Sequence, residues 1–255
     1  MFSHQTTHYL SIAVLLGLVV WGLAAIARRH RRSNHTLPQF LLYAYGRLTA
    51  RVYWRADVRG RLSLAANQGA VIVCNHRSPF DPAFIQLTTD RVVHWMVARE
   101  YCQNPLISWF FSIPECIPVG RGGIDTAATK MAIRYAESGG LVGMFPEGRI
   151  NTTDEVLLPG RPGAAMVALK ARVPVVPCFV RDTPLAPSLY TTIFVPAKAK
   201  LIVGEPIDIS AYYGRDKERS VLEELTLRFL TEIAKLAGRR EFRPQLAGKK
   251  WLPEE

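Results

Sequence analysis

The sequence predicts an α/β fold, a mixed, largely parallel sheet flanked by helices, behind an N-terminal membrane helix. Three observations predict it. Short β-rich apolar runs recur along the chain, AVIVC at residues 70–74 first among them, each bounded by turn or polar residues. Stretches with helical patterning separate those runs, which is the alternation of an α/β layer structure. Ahead of them all, residues 9–27 read YLSIAVLLGLVVWGLAAIA, nineteen residues without a charge.

At 1.5 Å of rise per residue that opening stretch makes about 28 Å of helix, close to the roughly 30 Å hydrocarbon core of a bilayer. A cleaved signal peptide is the competing reading. It wants a basic leader and a shorter apolar stretch, whereas MFSHQTTH has no Lys or Arg, although LAAIA resembles a cleavage site. Arg28, Arg29, Arg31 and Arg32 follow at once. By the positive-inside rule they place this end, and the body after it, in the cytoplasm. Residues 37–54, LPQFLLYAYGRLTARVYW, mix large apolar and aromatic side chains with Arg47 and Arg51 and hold no acid. Three readings stay open: an interfacial amphipathic helix lying on a membrane, a surface helix covering the core, or a second dip into the bilayer.

The body then runs in order. Strands are expected at 70–74, 92–97, 141–145, 173–180 and 199–203, and helices at 79–87, 124–138 and 163–171. A last helix over 217–236 carries Leu222, Leu225, Phe229, Ile233 and Leu236 on one face. No internal repeat or low-complexity tract interrupts this order. The segments are 1–36, anchor and basic linker; 37–55, interfacial helix; 56–238, the catalytic body; and 239–255, a polar tail.

Composition narrows the partners. The net charge is +11, and most of it is local: residues 28–61 contain nine arginines and a single acid, Asp57, a net +8. Such a block suits an anionic lipid surface, a phosphorylated substrate or nucleic acid, or is a solvated face with no partner. No nucleic-acid fold signature accompanies it, so nucleic acid is not expected. Cys74, Cys102, Cys116 and Cys178 form no Cys-x-x-Cys pair and have no His at zinc-finger spacing. A reducing compartment and no structural metal are expected.

The chemistry-bearing residues fall at strand ends. The strand at 70–74 runs straight into Asn75-His76-Arg77-Ser78-Pro79-Phe80-Asp81, and ligands of open α/β sheets bind outside the carboxyl ends of strands. Across a strand-to-helix turn, Asp81 can fold back to accept from one nitrogen of His76, leaving the other as a general base. Ser78-Pro79-Phe80-Asp81 also reads as a helix start, with Ser78 as cap and an acid three residues on. The two readings are compatible. After the strand at 141–145 comes Phe145-Pro146-Glu147-Gly148-Arg149, a tight turn presenting an acid and a guanidinium at the same edge. Between them lies Ile117-Pro118-Val119-Gly120-Arg121-Gly122-Gly123, either an anion-gripping loop with Arg121 as its fork or a plain entry to the next helix.

These blocks, with Val173-Pro174-Val175-Val176-Pro177, stand in the order of the 1-acylglycerol-3-phosphate acyltransferase family, which the chain resembles over roughly residues 37–210. The resemblance implies a glycerolipid acyltransferase fold, His76 as general base and Asp81 as its orienting partner. It implies that Arg121, Glu147, Gly148 and Arg149 bind a glycerol-phosphate acceptor. Arg99 departs from the family, where many members carry Lys. No cofactor is expected, since acyl-CoA or acyl carrier protein serves as donor substrate. The implied partners are membrane lipids, a lysophospholipid acceptor and that donor; the expected location is a membrane, read as a bacterial inner membrane, with a single-pass anchor and the catalytic domain on the cytoplasmic side.

The resemblance further implies that His76 deprotonates an acceptor hydroxyl that attacks a thioester carbonyl, without an acyl-enzyme. Ser78 lies close to His76, yet no G-x-S-x-G elbow exists to make it a nucleophile. A non-enzymatic basic membrane tether would leave His76, Asp81, Glu147 and Arg149 idle. A lipid hydrolase using the same histidine would differ only in passing the acyl group to water.

Overall fold

The computed structural model describes residues 4–31, 33–120 and 125–248. The chain divides into two compact units, Met1–Leu41 and Leu42–Glu255. In the first, α1 (His4–Arg31) contains His8–Arg31, 24 residues with a mean hydropathy of 2.5, of which none of the most apolar stretch is buried. It is long and apolar enough to cross a membrane. The unit closes with the first turn of α2 (Leu37–Leu48). There the Thr36 N–H donates to Gln39 Oε1 at 3.0 Å, and the Gln39 N–H to Thr36 Oγ1 at 3.5 Å. That reciprocal pair is a capping box with Pro38 in the first turn, where a missing N–H is harmless.

In the second unit α2 widens into a π-helical turn, Thr49–Tyr53, which delivers Trp54 into the core at 2% exposure. Its indole N–H donates to the Val195 carbonyl at 3.0 Å, and its ring meets Phe80 and Phe84. The expected helix over 37–54 therefore ends as core cover, while Tyr45, Leu48 and Val52 stay exposed.

The elements that follow are β1 (Asp57–Arg59), β2 (Ala70–Cys74), α3 (Asp81–Ile85), β3 (Val93–Ala98), α4 (Arg99–Gln103), α5 (Ser108–Ser112) and β4 (Ile117–Val119). Then come α6 (Thr126–Glu137), β5 (Leu141–Met144), α7 (Gly163–Ala171), β6 (Val175–Arg181), α8 (Leu189–Thr192), β7 (Lys200–Val203) and α9 (Arg219–Leu236). The sheet has seven strands in the order β1-β7-β6-β2-β5-β3-β4, and only the β6–β7 pair is antiparallel. It is thus mixed and largely parallel, as the patterning indicates.

Two features of the sheet position the site. β2 is the central strand and buried throughout: Val71 and Val73 face α6, α7 and α9, whereas Ala70, Ile72 and Cys74 face Trp54, Phe84 and Ile85. Burial on both faces is why it reads as an unbroken apolar run. Its neighbour β5 runs parallel, with Val73 beside Met144. The chain leaves β2 toward α3 on one face and leaves β5 toward α7 on the other. Loops departing to opposite faces from adjacent parallel strands open a crevice at their carboxyl ends.

Several short elements depart from the sequence reading. β1 and β4 have three residues each, too few for a periodicity to show, and β4 takes in the Pro118 read as part of a loop. The helix expected over 79–87 is α3 plus a 3₁₀ turn at Gln86–Thr88, and α4 and α5 fill a stretch with no expected element. The helix expected over 124–138 begins at Thr126, where Asp125 accepts from the Ala127 and Ala128 N–H groups as N-cap. Arg121 lies outside the described residues.

Candidate active site

Asn75 ends β2 by crossing to β6. Its side-chain amide donates to the Val180 carbonyl at 2.8 Å and its oxygen accepts the Val180 N–H at 2.7 Å. With Asn75 pinned, the next residue, His76, projects from the carboxyl edge of the central strand. His76 Nδ1 lies 3.0 Å from Asp81 Oδ2. That same oxygen accepts the backbone N–H groups of Arg77 at 2.6 Å and Ser78 at 2.8 Å. An oxygen already taking two donors serves as acceptor to the ring as well, so the ring proton belongs on Nδ1 and Nε2 keeps a lone pair. Asp81 is fully buried, whereas the His76 side chain keeps 16% of its surface. The carboxylate is sealed and the imidazole remains reachable.

Half of a capping box is present here: Asp81 reaches back to the Ser78 N–H, while Ser78 Oγ accepts from the nearer Phe80 N–H at 3.1 Å. The helix itself starts later, at Asp81. The cap and the orienting role are carried by one carboxylate.

The loop after β5 supplies the rest. Phe145 stacks flat on the His76 ring, centroids 3.8 Å apart and planes 6° from parallel, and Trp95 of β3 stacks on Phe145 at 4.8 Å. The column depends on Gly143, beside Trp95 in the sheet, where a Cβ would stand 2.5 Å from the indole ring. Glu147, 3% exposed, accepts the His76 backbone N–H at 2.7 Å with Oε1 and the Leu158 N–H at 2.8 Å with Oε2. The His76 carbonyl in turn accepts from the Asn151 N–H at 2.7 Å. Both polar atoms of the His76 peptide are therefore held by this loop. Burial pushes the Glu147 carboxyl up to about 7, against the opposing pull of its two backbone donors.

Gly148 turns the loop at φ +70°, a conformation that favours glycine, and packs against the stem of Arg161. Arg149 is half-buried beside it. Burial, and after it the neighbouring Arg149 guanidinium, pulls Arg161 below the usual guanidinium range. Two guanidiniums thus share one edge of the crevice, a setting for a phosphate or carboxylate. Arg99, at the end of β3, pairs with Asp125, which also accepts the Gly120 N–H at 2.9 Å.

The structure therefore gathers His76, Asp81, Glu147, Gly148 and Arg149 at two adjacent strand ends. Sequence reasoning assigned no role to Asn75, Phe145, Asn151 or Arg161. For Arg161 a signal existed: Gly160-Arg161-Pro162-Gly163 brackets an arginine with glycine and proline much as Pro146 and Gly148 bracket Glu147. The cysteines are free; burial pushes Cys178 up to about 12 and Cys74 well above its ordinary range, so neither is a nucleophile.

Known proteins resemble this chain in sequence and in fold. The acyltransferase family model matches residues 55–181. A 1-acyl-sn-glycerol-3-phosphate acyltransferase of Bacillus subtilis (strain 168) is 28% identical over 175 residues, covering 67% of this chain and 84% of that protein. Tafazzin of Drosophila melanogaster is 29% identical over 175 residues, covering 64% of this chain and 46% of its own length. The crystal structure of the 1-acyl-sn-glycerophosphate (LPA) acyltransferase PlsC from Thermotoga maritima matches with a TM-score of 0.58, covering 89% of this chain and 93% of that one. At 21% identity that likeness is one of fold.

Proposed function

Residues 55–181 make this chain a member of the acyltransferase family, and from that premise we propose that it moves a fatty acyl group from a thioester to the free hydroxyl of a lysophospholipid. The acceptor is 1-acylglycerol-3-phosphate, the product phosphatidic acid, and the donor acyl-CoA or an acyl carrier protein. The observation that carries this reading is the 3.0 Å contact of His76 Nδ1 with a buried Asp81 that also holds two backbone N–H groups.

His76 Nε2 takes the proton from the acceptor hydroxyl. The oxygen forms the ester bond at the thioester carbonyl, the C–S bond breaks, and the imidazolium returns the proton to the departing thiolate. General-base help of this kind contributes about 10²–10⁴ in rate. Asp81 orients the ring and stabilises the imidazolium while it lasts. Arg149, Arg161 and Arg121 bind the acceptor phosphate. Glu147 holds the base through its peptide, Oε1 receiving the His76 N–H and Oε2 the Leu158 N–H, and its remaining lone pairs face the acceptor. The apolar helix α1 anchors the chain, with the arginines at its end on the cytoplasmic side of a bacterial inner membrane.

The test is to express the chain with α1 and supply its membranes with labelled acyl-CoA and 1-acylglycerol-3-phosphate, reading products by mass spectrometry. Phosphatidic acid from the wild type, with a loss of about 10²-fold or more in His76→Ala, is expected. Free fatty acid without diacyl product would make the chain a hydrolase. Activity untouched by the substitution would remove the base assignment.

A further inference from the structure

The crossover from β3 to β4 contains a stretch that the chemistry above does not use. Residues 101–114, YCQNPLISWFFSIP, hold no charge. They form the end of α4 and all of α5, yet they do not bury their large side chains. Leu106 is 77% exposed and Trp109 62%, with Phe110 and Tyr101 also exposed. Isolated apolar residues on a surface are ordinary, but four together in one uncharged segment form a patch, and patches mark contacts.

Several polar atoms of the segment are used within it. The Trp109 indole N–H donates to the Leu106 carbonyl at 3.0 Å, and Ser112 Oγ donates to the Trp109 carbonyl at 2.7 Å. Asn104 accepts the Leu106 N–H on its side chain and the Ile107 and Ser108 N–H groups on its carbonyl. An uncharged surface whose indole N–H and Ser112 hydroxyl are already bonded suits the boundary layer of a bilayer, where apolar side chains meet acyl chains and the remaining polar tips meet headgroups. Trp and Tyr beside aliphatic side chains are the mixture enriched at the boundary between headgroups and acyl chains.

Position favours lipid over protein. The crossover leaves the sheet at the carboxyl end of β3, the edge that carries His76 and Phe145, and Trp95 of β3 is two stacked rings from the base. Tyr43 of α2 lies close to Glu115 and Cys116 at the far end of the segment. Further along the same helical stretch Tyr45, Leu48 and Val52 are exposed, among the arginines of the basic block. A second protein copy on this surface would close the edge at which a lipid substrate has to arrive. We propose that Leu106, Trp109, Phe110 and Tyr101 form a membrane contact, separate from the apolar N-terminal helix, that seats the β3 edge of the catalytic body in the interfacial layer of the bilayer. A lysolipid then reaches His76 by moving within the membrane surface rather than by leaving it.

The full chain is reconstituted into phosphatidylcholine vesicles and nanodiscs, with and without bromine on the upper acyl carbons, and wild type is compared with Trp109→Phe. The difference spectrum reports Trp109 alone. Quenching of that difference by about half in brominated lipid is expected, since bromine quenches indoles only on contact. An unquenched Trp109 overturns the proposal. So does an unquenched Trp109 with a doubled mass in the nanodisc, which would assign the face to a second copy of the chain. The quench makes no reference to the reaction, so its failure leaves the acyltransferase reading standing. A second arm does use that reading: Leu106→Glu/Trp109→Glu raises the apparent KM for vesicle-borne lysolipid about tenfold and leaves turnover of a short-chain, monomeric lysolipid unchanged. Equal loss on both acceptors would mean the substitutions damage the fold instead.

Discussion

The loops after β2 and after β5 leave neighbouring strands and each carries a buried carboxylate, but the two acids act at different points on one histidine. Asp81 meets the His76 ring, at Nδ1. Glu147 meets the His76 peptide, at its N–H. The first loop carries the histidine and decides its tautomer; the second decides where the residue sits and brings the guanidiniums. Orientation and placement are thus separable, and substitutions on the two loops should fail in different ways.

The sharpest separation is Asp81→Asn. An amide keeps the shape, and its oxygen in the Oδ2 position still accepts from both backbone N–H groups and the ring, but it carries no charge to stabilise the imidazolium. A fall on the order of 10³ in kcat with little change in KM is expected from steady-state kinetics, by analogy with the loss when the acid of other His-Asp sites becomes an amide. A rise in KM without loss of kcat would move Asp81 to a structural role.

Glu147 should show itself in stability against pH. Its folded-state value near 7 lies above the ordinary 4.5, so the folded chain retains a proton that the unfolded chain releases. That stabilising contribution is complete below about 4.5 and is lost as pH rises through about 7, a change of about 3 kcal/mol. Glu147→Gln removes this slope. Thermal unfolding of both proteins in detergent across pH 4 to 8 checks it, and parallel curves would show that Glu147 ionises as freely as an exposed acid.

Arg161→Ala comes next, predicted to raise KM for the phosphorylated acceptor about 10–100-fold, the value of a charge-assisted hydrogen bond, while kcat holds. Unchanged KM would place the phosphate elsewhere. Phe145→Leu should do least: losing a ring stack worth about 0.5–1.5 kcal/mol costs a few-fold in kcat. If Phe145→Leu matched Asp81→Asn in effect, ring stacking rather than the carboxylate would be what orients the base.

The same division explains what could be read from sequence. β2 was legible because a central parallel strand is apolar on both faces, and α7 because its ends coincide with Gly163 and the residue before Arg172, which takes a left-handed turn. His76 and Asp81 were legible because their partnership is local, five residues apart. Glu147 was visible as a charged residue at a strand end, but the direction in which it turns depends on Leu158 and on a peptide 71 residues earlier. Arg161 meets Arg149 only after the chain has folded back through Pro146, whose carbonyl accepts the Arg161 N–H. The α5 patch escaped because it follows no burial period; its apolar residues are not facing a core.

The grip of Asn75 on Val180 also sets a schedule for biosynthesis. The two residues are 105 apart, and a ribosome moving at about 5–20 residues per second needs about 5–20 s to cover that interval. During it β2 has no β6 beside it and the Asn75 amide has nothing to hold. The Leu158 N–H that Glu147 accepts is also made late in that interval. A nascent chain whose first helix has already met a membrane would therefore carry an unplaced histidine for seconds, acquiring its final posture only as β6 emerges.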